Sequence, residues 1–167
     1  IEILQEKMQS VYVEMIHKLE FEKDLHNWRS KDYYSLDDLL KKFSNVHYTD
    51  INLYDNHGEL MASSRPEIFE NGLISTRMNS SAFAEMVIHQ RLELIAKESI
   101  GDLSYLSSYV PFVNSENKLL AYLNLPYFTR QDELTREISN LVVAIVNILV
   151  LLSLLSFTIA VSMSNTI

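Results

Sequence analysis

The sequence predicts an α+β protein: two helices leading into a five-stranded antiparallel sheet, followed by one C-terminal transmembrane helix. Three observations predict it. Apolar residues recur at three-four spacing over the first part of the chain, the pattern switches to strand-like alternation after Asn45, and no charged side chain occurs from Ile138 to Ile167. The expected order is helix, helix, two strands, a long connection carrying a short helix, three strands and an exit helix.

Ile1, Leu4, Met8, Val11 and Met15 mark the apolar stripe of the first helix, which Leu19 and Leu25 extend less strictly, so a long N-terminal helix is expected over residues 1–29. Glu14 and Lys18 make an i, i+4 pair on its wet side. The stripe suits packing on its own domain and equally a self-paired coiled-coil seam, so both uses stay open. Ser35 followed by Asp37 and Asp38 predicts the start of a second helix, with acidic residues where the helix dipole favours them. Ile51 and Leu53 then alternate with Asn52 and Tyr54, Asp55 to Gly58 turn the chain, and Leu60 and Ala62 return it as a hairpin. Arg65-Pro66 ends the second strand. Residues 67–79 show little periodicity and predict a long connection, after which Ser80 or Ser81 opens a helix over Ala82 to His89. Three strands are expected near Leu92 to Ser99, Leu103 to Phe112 and Leu119 to Leu125, turned by Gly101-Asp102 and by Asn114 to Asn117.

Thr129 with Asp132 resembles a helix cap, giving an exit helix over 129–140 and a membrane span over 141–163. That span reaches about 35 Å, enough for a hydrocarbon core of about 30 Å. Within it Ser156, Ala160 and Ser164 recur every four residues, a spacing that permits close helix pairing, and Asn147 offers a bond across such a contact. Residues 164–167 begin a cytoplasmic linker. Ile1 falls inside a helical pattern and no charge follows the span, so a fragment of a longer protein is expected.

A net charge of −8, from 14 Lys and Arg against 22 Asp and Glu, argues against nucleic acid as a partner. The chain has no cysteine, which excludes disulfides and zinc-thiolate sites. His17, His26, His47, His57 and His89 lack metal-ligand spacing, no serine sits in a GxSxG elbow, and three glycines in all provide no phosphate-cradling loop. No metal site, catalytic residue or cofactor is therefore expected.

The last hairpin carries the functional expectation. If its loop holds an even number of residues, Leu106, Ser108, Val110 and Phe112 share the core face with Leu119, Ala121, Leu123 and Leu125. The opposite face then collects Tyr105, Ser107, Tyr109, Tyr122 and Asn124. That is an aromatic-polar surface in mid-sheet, where an ordinary wet face carries Lys, Glu and Thr. A three- or five-residue loop swaps the pairing.

The run Tyr105-Leu106-Ser107-Ser108-Tyr109-Val110-Pro111-Phe112, the strand Leu119 to Phe128 and the hairpin Asp50 to Ser64 together resemble the PAS-like extracytoplasmic sensor domains called Cache or PDC. These occur in bacterial sensor histidine kinases. The resemblance implies a sensor domain over 30–128 in the periplasm of an inner-membrane receptor, and a small ligand between the sheet and the long connection. It also implies a homodimer along the N-terminal helix. A preceding span, a HAMP linker and a kinase are implied outside this chain, which is itself not an enzyme. Candidate ligand-binding residues are Tyr54, Arg77, Tyr105, Ser107, Tyr109, Tyr122 and Asn124, with Arg77 as a planar donor fork for a carboxylate or else an ordinary surface arginine. Rival expectations are a divalent-cation sensor, the input of a chemoreceptor or cyclase, a membrane-anchored enzyme, and a purely structural module.

Overall fold

In the computed structural model, which describes residues 1–128, 142–154 and 156, helix α1 runs from Glu2 to Leu19 and buries Leu4, Met8, Val11, Met15 and Leu19. Five buried side chains at about 1.5–3 kcal/mol each outweigh what helix propensity supplies, so packing, not local preference, holds this element. The stripe is consumed inside its own domain, and Ile3 and Val13 remain exposed on other faces of the helix. The helix is shorter than expected. After Leu19 the next buried apolar residue is Leu25, off helical spacing, and Glu20 to Asp24 intervene. The carbonyls released there are met from outside the helix: Ser115 N–H donates to Glu20 O (2.8 Å), Asn114 Nδ2 to Glu22 O (2.9 Å) and Lys118 Nζ to Lys23 O (2.8 Å). Leu25 and Trp28 still enter the core, from an irregular segment.

Helix α2 spans Leu36–His47, and Ser35 Oγ accepts from Asp38 N–H at 3.2 Å, the expected cap. The sheet comprises β1 (Asn52–Tyr54), β2 (Leu60–Ser63), β3 (Leu94–Ile100), β4 (Leu103–Val113) and β5 (Leu119–Tyr127) in the order β2-β1-β5-β4-β3, with every pairing antiparallel. Between β2 and β3 lie α3 (Pro66–Glu70) and α4 (Ser80–Phe83), the latter continuing as a π-helical turn over Ala84–Ile88. The cap of α4 is Asn79, one residue before the expected serine; its Oδ1 accepts from Ser81 and Ala82 N–H. Helices α1 and α2 cover one sheet face, where Leu53, Ala62, Phe112, Ala121, Leu123 and Leu125 join them in the main core. Tyr12 meets Phe112 edge-on at 5.6 Å. The connection and α4 cover the other face.

The five residues between Val113 and Leu119 form the odd-numbered loop expected to swap the pairing, yet the pairing is the expected one. A bulge between Phe112 and Val113 absorbs one residue: Val113 faces Leu119, and Phe112 faces Ala121. The register is restored from there on, Val110 with Leu123 and Tyr109 with Asn124. Leu119 pays the difference by packing on the second face, and Leu120 turns to the main core instead. Pro111 and Pro126 fit because each lies beyond the end of one neighbouring strand: the β3 pairing stops at Tyr109 and the β1 pairing at Asn124.

Gly58 turns the first hairpin at φ +75°, and a Cβ there would stand 2.7 Å from Phe83 Cδ2. Gly58→Ala is therefore expected to lose about 1–3 kcal/mol, read as a lower urea midpoint at unchanged slope.

The chain divides into two compact units, Ile1–Phe128 and Thr129–Ile167. In the second, residues 142–154 are helical with exposed Val, Ile and Leu side chains, and Ser153 Oγ donates to Val150 O within the helix (2.8 Å). Among the described residues no helix is long and apolar enough to cross a membrane. The exit helix over 129–140, most of the small-residue stripe, the end of the expected span and residues 164–167 lie outside the described residues.

Candidate functional site

The second face of the sheet holds a polar belt in its interior. Ser63 on β2, Asn52 on β1, Asn124 on β5 and Ser107 on β4 are all buried and joined in sequence: Ser63 Oγ donates to Asn52 Oδ1 (2.8 Å), Asn52 Nδ2 to Asn124 Oδ1 (3.0 Å), and Asn124 Nδ2 to Ser107 Oγ (2.7 Å). Asn124 Nδ2 also donates to Ser108 O (3.2 Å). The register sets this line, since Asn52 pairs with both Ser63 and Asn124. A satisfied network fixes side-chain positions across four strands, where an apolar floor leaves more freedom.

Above this floor lies a cleft of about 330 Å³, between the sheet and the segment from Phe69 to Asn79. Tyr54, Arg77, Tyr105, Tyr109 and Asn124 line it, so five of the seven expected residues come together. Ser107 stands under Asn124 as part of the floor. Tyr122 is outside the cleft, in a small aromatic-methionine core with Met78, Ala82 and Met86 beneath α4. Its position follows from the pairing with Pro111, toward the hairpin end of β5 and away from the cleft. Arg77 is 77% exposed, and its guanidinium binds Glu59 at 2.8 Å, so it stands at the rim as half of a surface ion pair.

Glu98 is the residue that sequence reasoning missed. It lines the cleft from β3 and accepts a hydrogen bond from Tyr109 Oη at 2.6 Å. A signal for it exists: the two-residue Gly101-Asp102 turn sets Ile100 against Leu103 and hence Glu98 against Tyr105, on the face that also carries Tyr109. Burial first, and then the charge of Glu98, push the phenols of Tyr54, Tyr105 and Tyr109 well above the ordinary tyrosine range. All three are neutral hydrogen-bond donors at physiological pH. Because the native state raises these values, unfolded tyrosines ionise first: the stabilisation is complete below about pH 10 and is lost as pH rises further. Urea denaturation is expected to show stability falling from about pH 10 upward, by up to about 1.4 kcal/mol per pH unit for each of Tyr54 and Tyr109.

Tyr105 faces a second partner. Its ring lies 4.7 Å from that of Phe128, the residue that follows β5. A larger hollow of about 580 Å³ lies elsewhere, an open, mostly apolar groove lined by Met8, Tyr12, Val110 and Pro111. Its polar side chains are Gln5, Gln9 and Glu93, and Gln5 Nε2 donates to Glu93 Oε1 (3.2 Å) in an exposed position, so these groups pair with one another in reach of solvent instead of meeting in an enclosed site. Among the described residues no group of three or more His, Asp or Glu side chains is placed to hold a metal ion.

Neither a protein-family model nor a curated protein matches the chain. Among solved structures, the chain is similar to the sensor domain of the V. cholerae histidine kinase DctB, at 15% identity and a TM-score of 0.44, over 71% of this chain and 48% of that one. It is similar also to the sensor domain of E. coli DcuS, at 8% identity and a TM-score of 0.49, over 78% of this chain and 98% of that one. A third is the cofactor-binding GAF domain of the nutrient sensor CodY from Clostridium difficile, at 15% identity and a TM-score of 0.41, over 86% and 96% of the two chains. The chain spans about half the length of the DctB domain.

Proposed function

We propose that this chain is the ligand-sensing input module of a membrane receptor of the histidine kinase type, with a PAS-like periplasmic domain and a transmembrane helix over 141–163. One observation carries the proposal: the cleft rests on β5, the central strand, and that strand runs directly into the segment leading to the apolar helix. Tyr54, Tyr105, Tyr109 and Asn124 are the binding residues in this reading, Ser107 positions Asn124, and Tyr122 supports Tyr109 from the adjoining small core. Arg77 serves at the mouth. The module carries no catalysis; the output domain belongs to the parent receptor.

The route out of the cleft is short. Tyr105 lines the cavity and packs against Phe128 in a tilted ring contact, so a ligand that prefers one placement of Tyr105 biases the end of β5. The exposed Val, Ile and Leu side chains of helix 142–154 and its self-satisfied Ser153 suit a hydrocarbon solvent. A homodimer fits the same reading through the outer face of α1, where Ile3 and Val13 are exposed, because the main stripe is already buried.

The test is Tyr105→Ala in the parent receptor. Binding is expected to weaken modestly, by about tenfold, whereas ligand-dependent kinase output is expected to disappear. Output that follows occupancy unchanged would remove Phe128 and Tyr105 from the transmission route.

A further inference from the structure

We infer that the cleft takes a small organic ammonium ion, held by Glu98 and the faces and hydroxyls of Tyr54, Tyr105 and Tyr109. The inference rests on the proposal that this cleft is the ligand site, and it names the ligand's chemical class. Among the described residues two charged side chains line the cleft, Glu98 and Arg77, and the two are differently placed. Arg77 is turned to solvent and already paired with Glu59 at 2.8 Å. Glu98 is half-buried, is bonded through one oxygen to a neutral phenol, and makes no ion pair among the described residues. The interior is therefore negative, and its positive charge sits at the rim.

The surroundings of Glu98 are aromatic. Tyr54, Tyr105 and Tyr109 are buried, and all three phenols are held in the neutral form. Aromatic rings attract a cation through their negative faces, most strongly where water is excluded, and a carboxylate among them supplies the counter-charge. A carboxylate ligand meets the opposite: the charge of Glu98 repels it, and the one cation among the described lining residues, Arg77, is occupied by Glu59. The volume of about 330 Å³ lies at the small end of ligand cavities, which limits the ion to a compact metabolite.

The experiment uses the full chain in detergent micelles, followed by thermal melting and by the resonances of fluorotyrosine-labelled protein. The probes are ethanolamine, choline, succinate and magnesium chloride. Ethanolamine or choline is expected to raise Tm by about 5 °C or more at one hundred times its Kd, and to shift Tyr54, Tyr105 and Tyr109. Glu98→Gln keeps the shape and an acceptor for Tyr109 and removes the charge. Its unliganded Tm is expected to stay within about 2 °C of the parent, while affinity for the ammonium probe falls at least tenfold. Tyr109→Phe, a second variant that keeps the ring, is expected to weaken the same probe less.

Glu98→Gln binding ethanolamine or choline as tightly as the parent would overturn the inference. Succinate moving the three tyrosines, with both ammonium probes inert, would also overturn it and leave the cleft standing as a site for anions. Magnesium acting alone would replace it with a cation sensor. No response from any probe would overturn the ammonium class; shifts of Tyr54, Tyr105 and Tyr109 with an unfractionated metabolite pool would then still mark the cleft as a ligand site.

Discussion

Asn124→Ala is expected to destabilise the domain by about 3–5 kcal/mol, an effect exceptional for one surface-distant polar residue. Asn124 is the central member of the buried belt: its amide accepts from Asn52 and donates to Ser107 Oγ and to Ser108 O. Truncation takes the side-chain partner from two buried groups, Asn52 Nδ2 and Ser107 Oγ, each costing about 1–3 kcal/mol, and opens a void between them. The fall in Tm is expected to reach roughly 10 °C. The belt has a second signature. Asn52→Ala removes one of the groups that Asn124→Ala orphans, so the double variant is expected to lose less than the sum of the two singles. Strict additivity in urea denaturation would mean that the two amides do not act as one network.

Tyr109→Ala is expected to abolish ligand-dependent signalling. Tyr109 is buried, forms one wall of the cleft, and gives Glu98 its hydrogen bond at 2.6 Å. Removing the ring costs about 3–5 kcal/mol of stability as well, so a lost signal by itself is ambiguous. Tyr109→Phe resolves it, because the ring and the packing against Met78 and Met86 are kept and only the hydroxyl is lost. That variant is expected to melt within a few degrees of the parent, at a cost of about 1 kcal/mol, and to require more ligand for the same output. A full response from Tyr109→Ala, at a temperature where it is folded, would exclude Tyr109 from the site.

The aromatic-polar face is legible in the sequence because alternation in β4 and β5 is strict and each strand lies well inside the sheet. Leu123 and Leu125 can only point to the core, which sends Tyr122 and Asn124 to the other side. The β4–β5 loop alone would have misled, since it has five residues; the bulge at Phe112 and Val113 corrects the count, and no local residue type announces it. The end of α1 is legible only in part. The break in spacing after Leu19 is visible, but the groups that replace the helical bonds come from Asn114, Ser115 and Lys118 on the distant hairpin. Glu98 escaped for a related reason. On an edge strand a glutamate reads as solvent-facing, and its role appears only when the Gly101-Asp102 turn is used to carry register from β4 to β3. Arg77 shows the converse: an arginine in the connection suggests an anion clamp, and Glu59 across the neighbouring turn already satisfies it.

The nine tyrosines make the central claim directly observable, because they sample every candidate surface. Tyr54, Tyr105 and Tyr109 line the cleft, Tyr12 lines the apolar groove beside α1, and Tyr34 and Tyr48 stand free in solvent. The decisive measurement is the fluorine spectrum of the full chain, labelled with fluorotyrosine and assigned by single Tyr→Phe variants, before and after addition of a low-molecular-weight metabolite extract. Saturable shifts of Tyr54, Tyr105 and Tyr109, with Tyr12, Tyr34 and Tyr48 unmoved, are the result expected of a ligand site on the β1-β5-β4 face. A shift of Tyr12 with the three cleft tyrosines fixed would contradict it and transfer the binding site to the groove along α1.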